Sequence, residues 1–188
     1  TALRRFFKDD LKEERTMSQQ ALSKARSHFD HSPFEAIFRN SVNMRYCAKH
    51  EVALVHGYQV LAVDGSTVTL PAISTLLDEF GGIGRNAGSP AAKASVLYDV
   101  PNDFILDAAL DKAGTSEREL ALRHLEVLSG IYPKSKKLVI FDRGYPSAEL
   151  IEELNRRNIR FLMRVRRKWN LDVDAMDTPE GFVRLAGG

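Results

Sequence analysis

The stretch Lys137-Leu138-Val139-Ile140-Phe141-Asp142-Arg143-Gly144-Tyr145 constrains this chain more than any other. Four apolar residues, Leu138 to Phe141, run without a break and then meet an aspartate. The run is too short for a helix and rich in strand formers, so it predicts a buried parallel strand. Gly144 and Pro146 stop it, and a helical pattern follows. Asp142 is thereby expected at the carboxyl end of a central strand, where open α/β sheets place their chemistry. Tyr58 to Pro71 repeats the arrangement, with an apolar strand followed by Asp64 and Gly65. If the two strands are neighbours, two carboxylates lie side by side at one edge of the sheet.

The 188 residues suffice for one sizeable core plus a small accessory domain. A net charge of +2 gives no global argument for nucleic acid, so local charge has to be inspected. The single cysteine, Cys47, excludes an internal disulfide and suits a reducing compartment. No apolar run approaches the roughly 20 residues of a membrane span. Nor does the sequence open on a charged-then-apolar signal, so no membrane partner is expected. The chain starts at Thr1 and stops at Gly187-Gly188, which reads as a fragment of something longer.

Residues 1–50 carry almost no strand signal and predict a helical subdomain. Leu3, Phe6, Phe7 and Leu11 fall at helical spacing. Ser18 is a suitable N-cap for a second helix reaching about His28. Asp30 to Pro33 break it, and a third helix with Phe34, Ile37 and Phe38 on one face runs towards Cys47. Three short helices fit a helix-turn-helix DNA reader or a plain helical cap, and the residues leave both open.

Residues 51–168 read as the main domain. Val60, Ala62 and Asp64 alternate with Leu61, Val63 and Gly65, which suits a central strand covered on both faces. Ser66 to Leu70 reads as a second strand folding back after a turn at Asp64-Gly65, since Asp-Gly is an ordinary hairpin turn. Leu76, Leu77 and Phe80 predict one helical turn. Gly82 to Ala87 matches a permissive dinucleotide-binding pattern, but no strand precedes it and no helix follows, so a loop is expected. Lys93–Val100 and Phe104–Leu110, joined by Pro101-Asn102-Asp103, predict a hairpin. Ser116 to Glu119 is a capping box opening a helix that buries Ala121, Leu125 and Leu128. Glu117 and Glu119 then read as first-turn acids complementing the helix dipole.

Beyond Asp142, Pro146 is expected at the first position of a helix with Leu150, Ile151 and Leu154 on its buried stripe, stopped at Asn158. Ile159 to Arg166 then alternates apolar and basic residues and predicts a strand at or near a sheet edge. With Arg156, Arg157, Arg167 and Lys168 it forms the dense basic cluster of the chain. A charged edge that resists aggregation and a phosphate-contacting surface both account for it; the neighbouring carboxylates favour phosphate. Residues 169–188 read as the start of a truncated insertion domain, and Asp172, Asp174 and Asp177 do not fit calcium-loop spacing.

The predicted order is three antiparallel strands and then helices alternating with parallel strands. That is an α/β ribonuclease-H-like mixed sheet with an N-terminal helical subdomain. Its first and fourth strands lie adjacent, so Asp64 and Asp142 are expected to meet although 142 − 64 = 78 positions separate them. Two close carboxylates suit a hard divalent cation that keeps waters for a phosphate substrate.

The segments Ala62-Val63-Asp64-Gly65-Ser66-Thr67-Val68-Thr69-Leu70-Pro71 and Phe141-Asp142-Arg143-Gly144-Tyr145 resemble those carrying the first and second acids of the DDE transposases of bacterial insertion sequences, IS-four type. Thr115 to Ala121 resembles the helix start between them, and Ser18 to Arg26 the helical region ahead. The resemblance implies Asp64 and Asp142 as catalytic and metal-holding residues, with Mg2+ or Mn2+ as cofactor. It implies DNA, as transposon ends and target, held near Arg143, Tyr145, Arg164, Arg166 and Lys168. It further implies a homodimer in the transposition complex and a bacterial, cytoplasmic, nucleoid-associated setting. The family's third acid lies in a tyrosine, two residues, arginine, three residues, glutamate pattern. None of the five tyrosines here has arginine three places on, so the chain departs from the family at that ligand. Glu152 and Glu153 are poor substitutes because their helix belongs to the second acid. Two rival readings are a non-catalytic DNA-binding remnant and an actin-like ATPase, for which a second phosphate loop is missing.

Overall fold

The computed structural model describes residues 18–28, 30–47, 52–84, 88–130, 135–178 and 180–181. The helix expected from Leu3 to Leu11 lies outside the described residues. So do Arg85 to Ala87 of the glycine-rich stretch and Tyr132 to Lys134. The chain divides into two compact units, Thr1–Ser41 and Val42–Gly188.

In the first unit, Ser18 caps α1 (Gln19–Arg26), its hydroxyl accepting from the Ala21 N–H at 3.1 Å. The helix α2 (Ser32–Cys47), whose residues from Val42 on belong to the second unit, begins at Ser32, ahead of the Pro33 expected to break the chain. Proline sits in its first turn, where no intrahelical donor is lost. Phe34 and Ile37 are exposed.

The second unit is built on a six-stranded mixed sheet. Its strands are β1 (Tyr58–Thr69), β2 (Gly82–Ile83), β3 (Ser89–Asp99), β4 (Phe104–Lys112), β5 (Lys136–Phe141) and β6 (Arg160–Met163). The order is β2-β3-β1-β5-β6, with β4 also paired to β3. β1, β3 and β4 are antiparallel; β5 and β6 are parallel to β1. This is the ribonuclease-H-like arrangement. Helices α3 (Ser74–Phe80), α4 (Glu117–Leu128), α5 (Ala148–Arg156) and the short α6 (Leu171–Asp174) complete it.

Four local expectations need correction. There is no turn at Asp64-Gly65: β1 runs straight through to Thr69, because β3 supplies an unbroken antiparallel partner from Asp99 to Ala91. The expected loop from Gly82 contains β2, whose two residues pair with Ser89 and Pro90. The last strand ends at Met163 rather than Arg166, because its neighbour β5 ends at Phe141 and offers no further ladder. Pro146 also stands ahead of α5; Ser147 is the N-cap, accepting from the Leu150 N–H at 3.3 Å. Asn158 does stop the chain after α5, with φ at +53°, a conformation asparagine tolerates better than most residues.

Period-two alternation decides which residues form the core. Leu61, Val63, Leu97, Val139 and Phe141 point to one face and are all buried. On that face lie Leu120, Ala121, Leu125 and Leu128 of α4 and Leu150 and Leu154 of α5, each fully buried. The opposite face is more open: Ala62, Val96 and Ile140 are half-buried and Leu162 is exposed. Near the start of β1, the buried Asp99 carboxylate accepts from the Tyr46 hydroxyl and the Gln59 amide, both at 2.8 Å, and from Asn102. Four donors on one acid satisfy it, all of them from the second unit. Among the described residues no helix is long and apolar enough to cross a membrane.

Candidate active site

Strand register brings the two aspartates together. The last pair between β1 and β5 is Val63 with Phe141, so Asp64 and Asp142 are the next residue on each. Adjacent strands lie about 4.8 Å apart, and residues in the same row of a parallel pair point to the same face. The row extends to β6, where Phe141 pairs with Met163. Arg164 follows, and its N–H donates to the Phe141 carbonyl at 3.1 Å. Asp64, Asp142 and Arg164 thus occupy one row and are exposed. Asp64 sits inside β1, at the point where β5 gives out. Its Oδ1 accepts from the Gly65 N–H at 2.8 Å.

A third acid stands beside the glycines that follow this pair. Ser116 accepts from the Glu119 N–H at 3.2 Å, as the capping box predicts, and so fixes the first turn of α4. Glu119 does not return to Ser116; it pairs with Arg123. Glu117 leaves the same turn towards the sheet. Its Oε1 lies 3.3 Å from the Lys93 ammonium, which also donates to Thr67. A Cβ added to Gly144 would come 3.2 Å from Glu117 Oε2, and one added to Gly65 would come 3.3 Å from Glu117 Cγ. The glycines that follow the two aspartates therefore leave the room that Glu117 occupies.

Tyr145 lies beneath. It is 1% exposed, its ring packs on Phe141 at 5.4 Å, and its hydroxyl has no hydrogen-bond partner. The expectation of a DNA contact from Tyr145 is corrected by this burial: the ring is held in the core, and its hydroxyl faces the acids. Burial pushes that hydroxyl well above its ordinary pKa, and the charges of Glu117, Asp64 and Asp142 push it further. It remains a protonated donor.

Behind Asp64 runs a buried chain of polar groups. Asp107 Oδ2 lies 2.7 Å from His124 Nδ1, and His124 Nε2 lies 3.0 Å from Ser95 Oγ. Ser95 in turn donates to the Asp64 carbonyl at 3.1 Å. The Asp-His-Ser order matches a nucleophilic triad, but His124 is 0% and Ser95 2% exposed, so no substrate can reach the hydroxyl. The chain clamps α4 and β4 to the backbone of Asp64 instead.

Arg143, Arg166 and Lys168 are exposed with Arg164. Glu153 is engaged by Arg156 and Arg157 and is not free to serve as a ligand. Among the described residues, no three histidine, cysteine or carboxylate groups stand close enough to enclose an ion as they lie. Sequence reasoning missed the Glu117–Lys93 pair and its place against Gly65 and Gly144. The capping box located Glu117 on its helix, but which strand that turn would face is settled by packing.

Among solved structures, the chain is similar to a simian T-cell lymphotropic virus intasome bound to the PP2A regulatory subunit B56 gamma (16% identity, 70% of this chain, 43% of that one, TM-score 0.40). It is also similar to the piggyBac transposase synaptic complex with hairpin DNA (13%, 88%, 34%, TM-score 0.45) and to a pre-cleavage Mos1 transpososome (12%, 87%, 55%, TM-score 0.39). It spans only part of each of those chains. No curated protein sequence matches it. The family described as Transposase DDE domain matches residues 55–185, which takes in both aspartates, the strands that carry them and α4 between. On that match, over most of its length, the chain belongs to the DDE transposases.

Proposed function

We propose that the unit Val42–Gly188 carries the two-aspartate part of a transposase active centre, with Asp64 and Asp142 holding Mg2+ or Mn2+. The intact protein would cut transposon ends by hydrolysis and join the freed 3′-hydroxyl to target DNA. What supports this reading is that Val63 and Phe141, the residues just before Asp64 and Asp142, are paired on β1 and β5, and that both aspartates are exposed. DDE transposases are in general dependent on a divalent metal. The donor set fits one: hard carboxylate oxygens on an open surface, with a buried hydroxyl beside them that lacks any protein partner. When bound, such a cation stabilises the charge that develops on the transferring phosphate and on the attacking and leaving oxygens.

The chain's own residues do the rest. The Gly65 N–H and the Ser95 hydroxyl fix the carboxylate and the carbonyl of Asp64. Arg164 is in position to hold a phosphate oxygen beside the acids, and Arg143, Arg166 and Lys168 extend the positive surface along a DNA backbone. Such contacts position the nucleic acid without reading its sequence. A homodimer would bring two ends together, and a DNA substrate sets the protein at the bacterial nucleoid, in the cytoplasm.

The test is calorimetric titration of Mg2+ and Mn2+ into the chain, Asp64→Asn and Asp142→Asn. Each substitution is expected to weaken binding about tenfold or more, since it removes a charged ligand. Equal affinity in all three proteins would sink the proposal, and DNA binding indifferent to both aspartates would leave a non-catalytic remnant.

A further inference from the structure

We infer that Glu117 is a third carboxylate of this centre, a ligand to a cation held by Asp64 and Asp142, and that Lys93 competes with that cation for it. The inference rests on the reading of the two aspartates above.

Three acids in one place are a repulsive arrangement unless something positive stands among them. Lys93 is such a group: its side chain is only 16% exposed and reaches Glu117 at 3.3 Å. By strand alternation Gly65 points to the opposite face of the sheet from Asp64. Glu117 approaches from that opposite face. A side chain at Gly65 or Gly144 would crowd Glu117, since its Cβ would stand 3.3 Å from Glu117 Cγ or 3.2 Å from Glu117 Oε2. Both positions are glycine, one residue after Asp64 and two after Asp142.

The Tyr145 hydroxyl is the independent sign that the place is built for a further group. It is fully buried, it has no partner, and it lies 3.4 Å from the same point above Gly65 that Glu117 flanks. A buried donor without an acceptor is costly and rare. Glu117 leaving Lys93 for the cation, or a water bound to that cation, would bring an oxygen to it. A purely structural first-turn acid would need neither the two glycines nor the orphan hydroxyl: Glu119, in the same turn, pairs with Arg123 on its own helix.

The experiment is Mn2+ titration by calorimetry into the whole chain and into Glu117→Gln, Lys93→Met, the double variant, and Glu119→Gln. Folding of each is checked by circular dichroism. Glu117→Gln is expected to weaken Mn2+ binding about tenfold or more, as loss of an acidic ligand should. Lys93→Met should tighten it severalfold by removing the competing ammonium, and Glu119→Gln should leave it unchanged. The double variant separates direct from indirect action. If Glu117 is a ligand, the double variant binds about tenfold more weakly than Lys93→Met. If Glu117 only restrains Lys93, the two bind alike and the inference is overturned. Unchanged binding in Glu117→Gln, with loss in Asp64→Asn and Asp142→Asn, ends the inference and leaves the aspartate pair standing. Unchanged binding in Asp64→Asn ends both. Should Glu117→Gln fail to fold, Lys93→Met still decides: affinity equal to or below that of the unaltered chain contradicts the exchange.

Discussion

At the scale of single residues, the most informative group is the Tyr145 hydroxyl. Its ring belongs to the core, packed on Phe141, while its oxygen is left without a partner. Tyr145→Phe keeps the ring and removes only the unpaired oxygen. Leaving a buried polar group unsatisfied costs about 1–3 kcal/mol. The phenylalanine variant is therefore expected to be more stable than the unaltered chain by about 1 kcal/mol in urea denaturation without metal. A loss of stability of that size would mean the hydroxyl has a partner after all. Gain in stability combined with weaker Mn2+ binding would be the pattern of a group kept for the site at the expense of the fold. That Asp64 and Asp142 follow the apolar runs of β1 and β5 was legible in the sequence, because both runs are rich in strand formers. Glu117 was legible as a helix start and not in its place against the two glycines. A capping box is written in four consecutive residues, but the contact to Gly65 and Gly144 depends on how α4 lies on the sheet.

At the scale of elements, the ion pairs at the end of α5 give a prediction about pH. Glu153 accepts from Arg156 and Arg157, and these bonds hold its carboxyl down at about 2, below the ordinary carboxylate range. Arg157 also reaches across to the end of α4, donating to the Leu125 carbonyl at 2.8 Å and to Ser129 at 2.7 Å. Glu153 thus steadies the arginine that joins the two helices. A depressed pKa means a contribution present above the unfolded value, about 4.5, and lost as pH falls towards 2. The stability difference between the unaltered chain and Glu153→Gln is expected to be constant from pH 7 to about 5 and to shrink below that. Denaturant midpoints at pH 7, 5, 4 and 3 would show it, and a difference that does not change with pH would refute it.

The same scale shows where sequence reasoning stops. The run ending at Phe141, the hairpin through Pro101-Asn102-Asp103 and the cap at Ser116 are all set by neighbours in sequence, and all three stand in the structure. Asp64-Gly65 was read as a turn because the dipeptide is the same string in a turn and in a strand. What kept β1 straight is β3, whose residues Ala91 to Asp99 pair along it. That information lies some thirty positions further on. The basic strand was read two residues too long for a similar reason. Its alternation continues to Arg166, but the partner strand does not.

At the scale of the whole molecule, charge is nearly balanced and unevenly placed. The net of +2 hides a concentration of arginine and lysine from Arg156 to Lys168. Arg164 is in the row of the two aspartates, and Arg166 and Lys168 follow it on the exposed chain beyond β6. An acidic centre alone would repel a polyanion, and this positive flank is what would let DNA approach it. Each phosphate neutralised releases condensed counterions, so log K falls with log salt by about 0.9 per contact on duplex DNA. If Arg164, Arg166 and Lys168 each hold one phosphate, replacing all three by glutamine should reduce that slope by about 3 × 0.9, or roughly 2.7. The change should be the same for unrelated DNA sequences, because backbone contacts carry no base information. Fluorescence anisotropy on two duplexes between 50 and 300 mM salt, about the range where such slopes are read, measures it directly. A triple variant that keeps the original slope would remove this surface from the DNA path. One that loses slope on one duplex only would turn it into a sequence-reading surface, which no row of exposed basic side chains beside a carboxylate pair is built to be.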